Sequence, residues 1–236
     1  MPKFSYELSV DVHDVDYNGV AKASSLMKYI QSAAQSQLTA IGLSYDELRA
    51  RGRAFILSKI KMEFTEPIRA YDRLTAISYP CESRGFSFLR CYALERDGAL
   101  VGKAASVWAL IDTENRALVP VNGIELGLEL LPPNDVALDR IIMPKSITEI
   151  GTYTVNYADT DQNRHMNNTH YPDMYANFLP LDGARIRSMS IQYMNEAPLY
   201  ERLTVHRAFE DGIYYFKTVR GDGKVNTLAT VELEKL

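Results

Sequence analysis

A dense run of polar and ionisable residues lies in the second half of the chain: Asp161-x-Asn163-x-His165-x-Asn167-Asn168-x-x-Tyr171. A carboxylate, an imidazole and several amides at this spacing are suited to general acid–base chemistry at a carbonyl. The run leads into a helical pattern. Backbone N–H groups at a helix start lack intrahelical partners and can receive a developing oxyanion. A second carboxylate, Glu196, ends the strand-like stretch Tyr193-Met194-Asn195-Glu196. Taken alone, Asp161 and Asn168 also read as turn and cap residues, His165 as a surface histidine and Glu196 as an exposed strand end. His13, His170 and His206 lack such companions and read as structural. There is no His-Glu-x-x-His, paired-cysteine or Walker pattern, so neither a metal nor any other cofactor is expected. A Gly-x-Ser-x-Gly elbow is also missing from the sequence.

What singles these residues out is an internal repeat. At an offset of 145, Asp14, Asp16 and Asn18 fall on Asp159, Asp161 and Asn163. At an offset of 129, Tyr71-Asp72-Arg73-Leu74-Thr75 falls on Tyr200-Glu201-Arg202-Leu203-Thr204. The first copy therefore holds about 16 more residues between its two marks. His165 falls on Val20 and Glu196 on Pro67, so two of the four candidate groups exist only in the second copy. This is the expected outcome of a duplication in which one copy keeps the reactive groups and the other holds substrate.

The elements that must position them are read from periodicity. Residues 4–12 form an opening strand. Leu26, Ile30, Ala33, Ala34, Leu38 and Ile41 predict a helix over 23–41 closed by Gly42. Ser44 and Glu47 form a capping box for a short second helix. Alternation from Ile56 to Phe64 predicts a strand, and three more follow near 72–80, 85–95 and 100–112, the last two joined at Asp97-Gly98. Prolines at 120, 132, 133 and 144 mark a crossing linker with one short helix. The second copy repeats the plan: a strand over 152–157, a helix over 168–179, and strands near 184–194, 200–210, 213–221 and 225–235, with a turn at Gly221-Asp222-Gly223. A long helix facing a curled antiparallel sheet is the hotdog arrangement. The fold class is α+β, a tandem hotdog with two long helices, each packed on an antiparallel sheet, and the sheets can join edge to edge and so cover two exposed edges. The expected domains are an N-terminal hotdog over 1–131, a linker over 132–147 and a C-terminal hotdog over 148–236.

Composition narrows the remaining classes. Apolar residues make up 46% and charged residues 24%, which excludes a disordered, collagen-like or coiled-coil chain. A net charge of −4 argues against general nucleic-acid binding. Two cysteines, Cys81 and Cys91, make neither a disulfide scaffold nor a four-cysteine zinc site. No apolar run is long enough to span a bilayer, and the first residues have neither signal nor transit character, so a cytoplasmic location is expected.

The run at 161–171 resembles the signature of the acyl-acyl-carrier-protein thioesterases, known from plant plastids and bacteria. Ala105-Ser106-Val107-Trp108 followed by Arg116 is similar to the strand that ends the family's first hotdog, and Met189-Ser190-Ile191-Gln192-Tyr193-Met194-Asn195-Glu196-Ala197 to the family segment ending in Glu-Cys. The resemblance covers nearly the whole chain and looks like a bacterial member. It implies hydrolysis of fatty acyl-ACP in fatty acid biosynthesis, with acyl carrier protein as partner and Asp161, Asn163, His165 and Glu196 as the catalytic group. The family cysteine falls on Ala197, so a thiol nucleophile at that point is impossible; water or a carboxylate must attack. His165 and helix N-terminal amides would polarise the thioester carbonyl, Asn163 would position water or the imidazole, and Glu196 would act as base. Asp161 would orient Asn163 or the helix start, and either carboxylate remains open as base or nucleophile. The acyl chain would lie in the first hotdog, degenerate in its own site, with Met27, Ile30, Ile56, Leu57, Phe86, Phe88 and Trp108 as lining residues; a core role is the alternative for each. An acidic carrier would dock on a local basic patch drawn from Arg164, Arg185, Arg187 or Arg202. The chain would work as a monomer, an internal pseudo-dimer, or as a homodimer. Competing functions are a hotdog acyl-CoA thioesterase, a hydratase or dehydratase, and a non-catalytic lipid sensor.

Overall fold

The computed structural model describes residues 3–236. Strand β1 (Phe4–Ser9) leads through a 3-10 turn into helix α1 (Ala23–Ala40). Leu26, Met27, Ile30, Ala33 and Ala34 bury one face of this helix against the sheet, as their spacing predicts. Gly42, at φ +71°, takes the left-handed conformation that ends it. Helix α2 (Tyr45–Ala50) starts on the expected box: Ser44 Oγ accepts from the Glu47 N–H, and the Ser44 N–H donates to the Glu47 carboxylate. Strands β2 (Arg53–Phe64), β3 (Arg73–Pro80), β4 (Phe88–Arg96) and β5 (Ala99–Asp112) complete the first copy. Asp97 and Gly98, both at positive φ, make the tight turn between β4 and β5. The second copy runs β7 (Thr148–Thr154), helix α3 (Tyr171–Ala176), β8 (Ala184–Tyr193), β9 (Arg202–Glu210), β10 (Ile213–Val219) and β11 (Val225–Lys235), with a short β6 (Leu118–Val119) between the copies.

All strands belong to one antiparallel sheet in the order β1-β3-β4-β5-β2-β8-β11-β10-β9-β7, with β6 beside β5. The order of the second half mirrors that of the first. The halves meet where β2 pairs β8, with Ile60 opposite Ile191, Lys61 opposite Ser190 and Met62 opposite Met189. At the offset of 129, Lys61 is paired with its own equivalent and its neighbours exchange partners, as an isologous two-fold junction requires. The loops repeat the relation bond by bond. Asp16 N–H donates to the Val20 carbonyl, and Asp161 N–H to the His165 carbonyl; Ala21 N–H donates to the Ile68 carbonyl, and Met166 N–H to the Ala197 carbonyl. Gly19 and Arg164 share a positive φ, as do Tyr71 and Tyr200. Val20 is thus the structural counterpart of His165, and Pro67 that of Glu196.

Two expectations are corrected. The second helix, expected over 168–179, is a 3-10 turn at Asn168–His170 followed by the six residues of α3. Pro172 sits in its first turn, and Pro180 disfavours helical geometry at Leu179, so the segment cannot extend. The linker holds no α-helix: after a 3-10 turn at Val121–Gly123 it has no regular element up to β7 apart from a bridge between Leu131 and Cys81. It crosses the outer sheet face, where Asn134 Nδ2 donates to the Tyr92 and Ala104 carbonyls and Lys59 Nζ to those of Leu138 and Asp139. Among the described residues, no helix is long and apolar enough to cross a membrane.

Candidate active site

A cavity of about 1070 Å³ opens between the two copies. Its walls come from α1, α2, β2, β4 and Trp108 of the first copy, and from residues 161–169 and 193–196 of the second. Asp161, Asn163, His165 and Glu196 all border it. His165 is half-buried, and its backbone is held in an isolated bridge to Pro198. Its Nε2 lies 3.9 Å from Glu196 Oε1, beyond direct hydrogen-bond distance.

Each neighbour of this pair is fixed by short-range chemistry. Asp161 Oδ1 accepts from the Asn163 N–H at 2.8 Å, closing the turn, and its Oδ2 accepts from Asn167 Nδ2 at 3.4 Å. Asn167 Oδ1 caps the 3-10 turn by accepting from the Thr169 N–H and hydroxyl. Asp161 therefore shapes the loop that carries His165. Asn163 Oδ1 accepts from the Tyr45 hydroxyl at 2.7 Å, which leaves its Nδ2 as the donor end. Glu196 Oε1 accepts from Arg116 Nη2 at 2.7 Å, and the Glu196 carbonyl accepts from Arg220 Nη1 at 2.9 Å. Tyr171 is buried behind this layer, where its hydroxyl accepts from Asn226 Nδ2; burial pushes its pKa up to about 12, so it stays neutral.

Tyr45 and Arg220 are not read as site residues from the sequence, and Arg116 enters there only as part of the strand-end resemblance, because each reaches the site from far along the chain. Tyr45 did leave one trace. It starts α2, which together with the greater length of α1 accounts for the extra residues of the first copy.

Of the expected lining residues, Ile56, Leu57, Phe88 and Trp108 border the cavity. Met27 and Ile30 point into the core between α1 and the sheet, and Phe86 is 48% exposed outside the cavity wall. Of the docking arginines, Arg164 is exposed at the cavity rim and Arg202 is exposed at the start of β9. Arg187 pairs with Glu232. Arg185 is 4% exposed and held by Glu234 and the carbonyls of Phe64, Thr65 and Glu66, so it cannot meet a partner.

Cys81 and Cys91 are fully buried against Ala105 and Val136 on the outer face, away from the cavity wall. Hydrogen bonding to Cys91 and burial push the Cys81 thiol up, which leaves it unsuited to nucleophilic attack. Replacing both cysteines by alanine leaves any rate of thioester cleavage at the wild-type level; a thiol-release assay that shows its abolition would assign the nucleophile to one of them.

Comparison with known proteins bears on the family and the fold. A family profile described as acyl-ACP thioesterase N-terminal domain matches residues 2–123, and one described as acyl-ACP thioesterase C-terminal domain matches residues 143–235. A chloroplastic acyl-acyl carrier protein thioesterase of Arabidopsis thaliana is 31% identical over 67 residues, a match that spans 28% of this chain and 35% of that relative's length. The crystal structure of an acyl-ACP thioesterase from Bacteroides thetaiotaomicron superposes with a TM-score of 0.91 at 20% identity, covering 99% of this chain and 98% of that one. The 12:0-ACP thioesterase of Umbellularia californica gives 0.85 at 16% identity, covering 100% and 98%. At these identities the two structures establish a shared fold, the tandem hotdog. With both profiles matched in order along its length, the chain belongs to the acyl-ACP thioesterase family.

Proposed function

We propose that the protein hydrolyses a fatty acyl thioester of acyl carrier protein to free fatty acid and carrier. The observation that carries this reading is the meeting of His165 and Glu196 at the border of one large cavity with apolar side chains in its wall. Glu196 takes a proton from water, and the water oxygen attacks the thioester carbonyl carbon. His165 polarises the carbonyl oxygen as the tetrahedral intermediate forms. The C–S bond then breaks, and the proton held by Glu196 returns to the leaving sulfur. Asn163, oriented by Tyr45, and Asp161, which shapes the loop, act as positioning residues. Arg116 holds the Glu196 carboxylate in place. The N-terminal hotdog, 1–131, holds the acyl chain against Ile56, Leu57, Phe88 and Trp108. The linker, 132–147, joins it to the catalytic hotdog, 148–236. Arg164, exposed at the rim, is placed to meet an acidic carrier.

Thiol release from matched acyl-ACP and acyl-CoA thioesters of medium to long chain length tests this. Faster cleavage of the carrier-protein thioesters is expected. Preference for CoA would keep the chemistry and overturn the partner, and binding without any turnover would assign the protein to lipid sensing.

A further inference from the structure

One part of the cavity wall, away from the catalytic pair, is polar. Arg90 stands on β4, borders the cavity and is 8% exposed. Its Nη1 donates to Gln37 Oε1 and to Ser78 Oγ, each at 2.7 Å. No carboxylate among the described residues pairs with it. Leu57, Trp108 and Phe88 form one cross-strand row over β2, β5 and β4; Ile60, Ser106 and Arg90 form the next, whose Ile60 and Ser106 are fully buried. Three strand spacings, about 14 Å along the sheet, separate β4 from β8, the strand that leads to Glu196. Arg90 is thus remote from the reacting bond.

A buried guanidinium that meets only neutral acceptors is costly, since its charge is desolvated without a counter-charge. Burial accordingly lowers its hold on its proton. Structural stapling of α1 to β3 uses only one of its nitrogens. Another donor in the same wall has no acceptor: Gln31 Nε2, on α1, is buried and unpaired. Lys28, Ser32 and Gln35 add to this polar side of the helix. A plain hydrocarbon chain satisfies none of these groups.

We propose that the acyl chain accepted here carries an oxygen function in its distal part, a hydroxyl or a carboxylate, and that Arg90 and Gln31 select for it. This rests on the reading that the cavity holds the acyl group. In this role Arg90 and Gln31 determine specificity and take no part in the chemical step.

The test uses one saturated fatty acid at a time, from medium to long chain, beside its ω-hydroxy and ω-carboxy counterparts. Binding of the free acids is measured by calorimetry, and hydrolysis is measured with the corresponding acyl-ACP thioesters. Wild type is expected to bind an oxygenated acid about ten-fold or more tightly than the plain one of equal length, as expected for a hydrogen bond to a charged group. Greater affinity for the ω-carboxy arm identifies a dicarboxylic chain, and for the ω-hydroxy arm a hydroxyacyl chain. Arg90→Met should abolish the preference and Arg90→Lys should retain it for the carboxylate. Gln31→Leu, at a position with no partner to lose, should weaken the preference even if Arg90→Met does not fold. A wild type that favours plain chains throughout, with that order unchanged in Gln31→Leu, overturns the proposal while leaving the hydrolase reading intact. Selective binding of oxygenated acids without turnover of any thioester supports it and overturns the hydrolase reading instead.

Discussion

His165→Ala lowers kcat/KM for thioester hydrolysis by ~10²-fold or more, and Glu196→Gln lowers it at least as far. The argument is geometric. These two side chains approach each other across the cavity border, 3.9 Å apart, and their counterparts in the first copy are Val20 and Pro67. Glutamine keeps the shape of Glu196 and its capacity to accept from Arg116, but it cannot take a proton. The loss should therefore fall on kcat, with KM nearly unchanged, because neither change touches the apolar wall proposed to hold the acyl chain. If the two groups act on one transition state, the double variant loses little beyond the worse single variant. Single-turnover measurements on an acyl-ACP thioester check both points. Near-normal turnover by either variant removes that residue from the chemistry, and fully additive losses would mean that the two act in separate steps.

What could be read from the sequence follows from how local each cause is. Helix α1, the α2 capping box and the turn at Asp97-Gly98 depend on residues a few positions apart, and all were legible. The seam between sheets was legible for another reason: duplication leaves two hydrophobic strands with no other cover. Helix α3 is shorter than its helical pattern predicts, because the backbone limits of Pro172 and Pro180 decide its length. Among candidate lining residues, Met27 and Ile30 show a different difficulty. Apolar residues on α1 read as pocket wall in the sequence, yet its apolar face packs on the sheet, and the polar face with Lys28, Gln31, Ser32 and Gln35 borders the cavity. A polar stripe reads as solvent-facing until a second element is placed over it. The pairings of Tyr45 with Asn163 and of Arg116 with Glu196 are hidden for the same reason, since the partners lie 118 and 80 residues apart.

The seam supports the second large expectation, which concerns stability. Ile191→Ala should cost about 2–5 kcal/mol, a large part of the ~5–15 kcal/mol typical of a domain. Ile191 is fully buried and sits opposite Ile60, also fully buried, beside the Met62–Met189 pair. Removing its outer carbons leaves a void between two strands that cannot close without breaking the ladder on one side. Among the described residues this is the one strand pairing that joins the two half-sheets, and one core cluster contains Ile60 and Met62 together with Met189 and Ile191. The two copies should therefore unfold as one unit. The chain supplies its own reporter, because its single tryptophan, Trp108, lies in the first copy while Ile191 lies in the second. In a denaturant titration of Ile191→Ala, Trp108 fluorescence and far-UV circular dichroism should shift to the same lower midpoint. A Trp108 transition left at the wild-type midpoint, with the dichroism split in two, would show that the copies are separable domains. The cavity, which needs walls from both, would then depend on docking rather than on a common core.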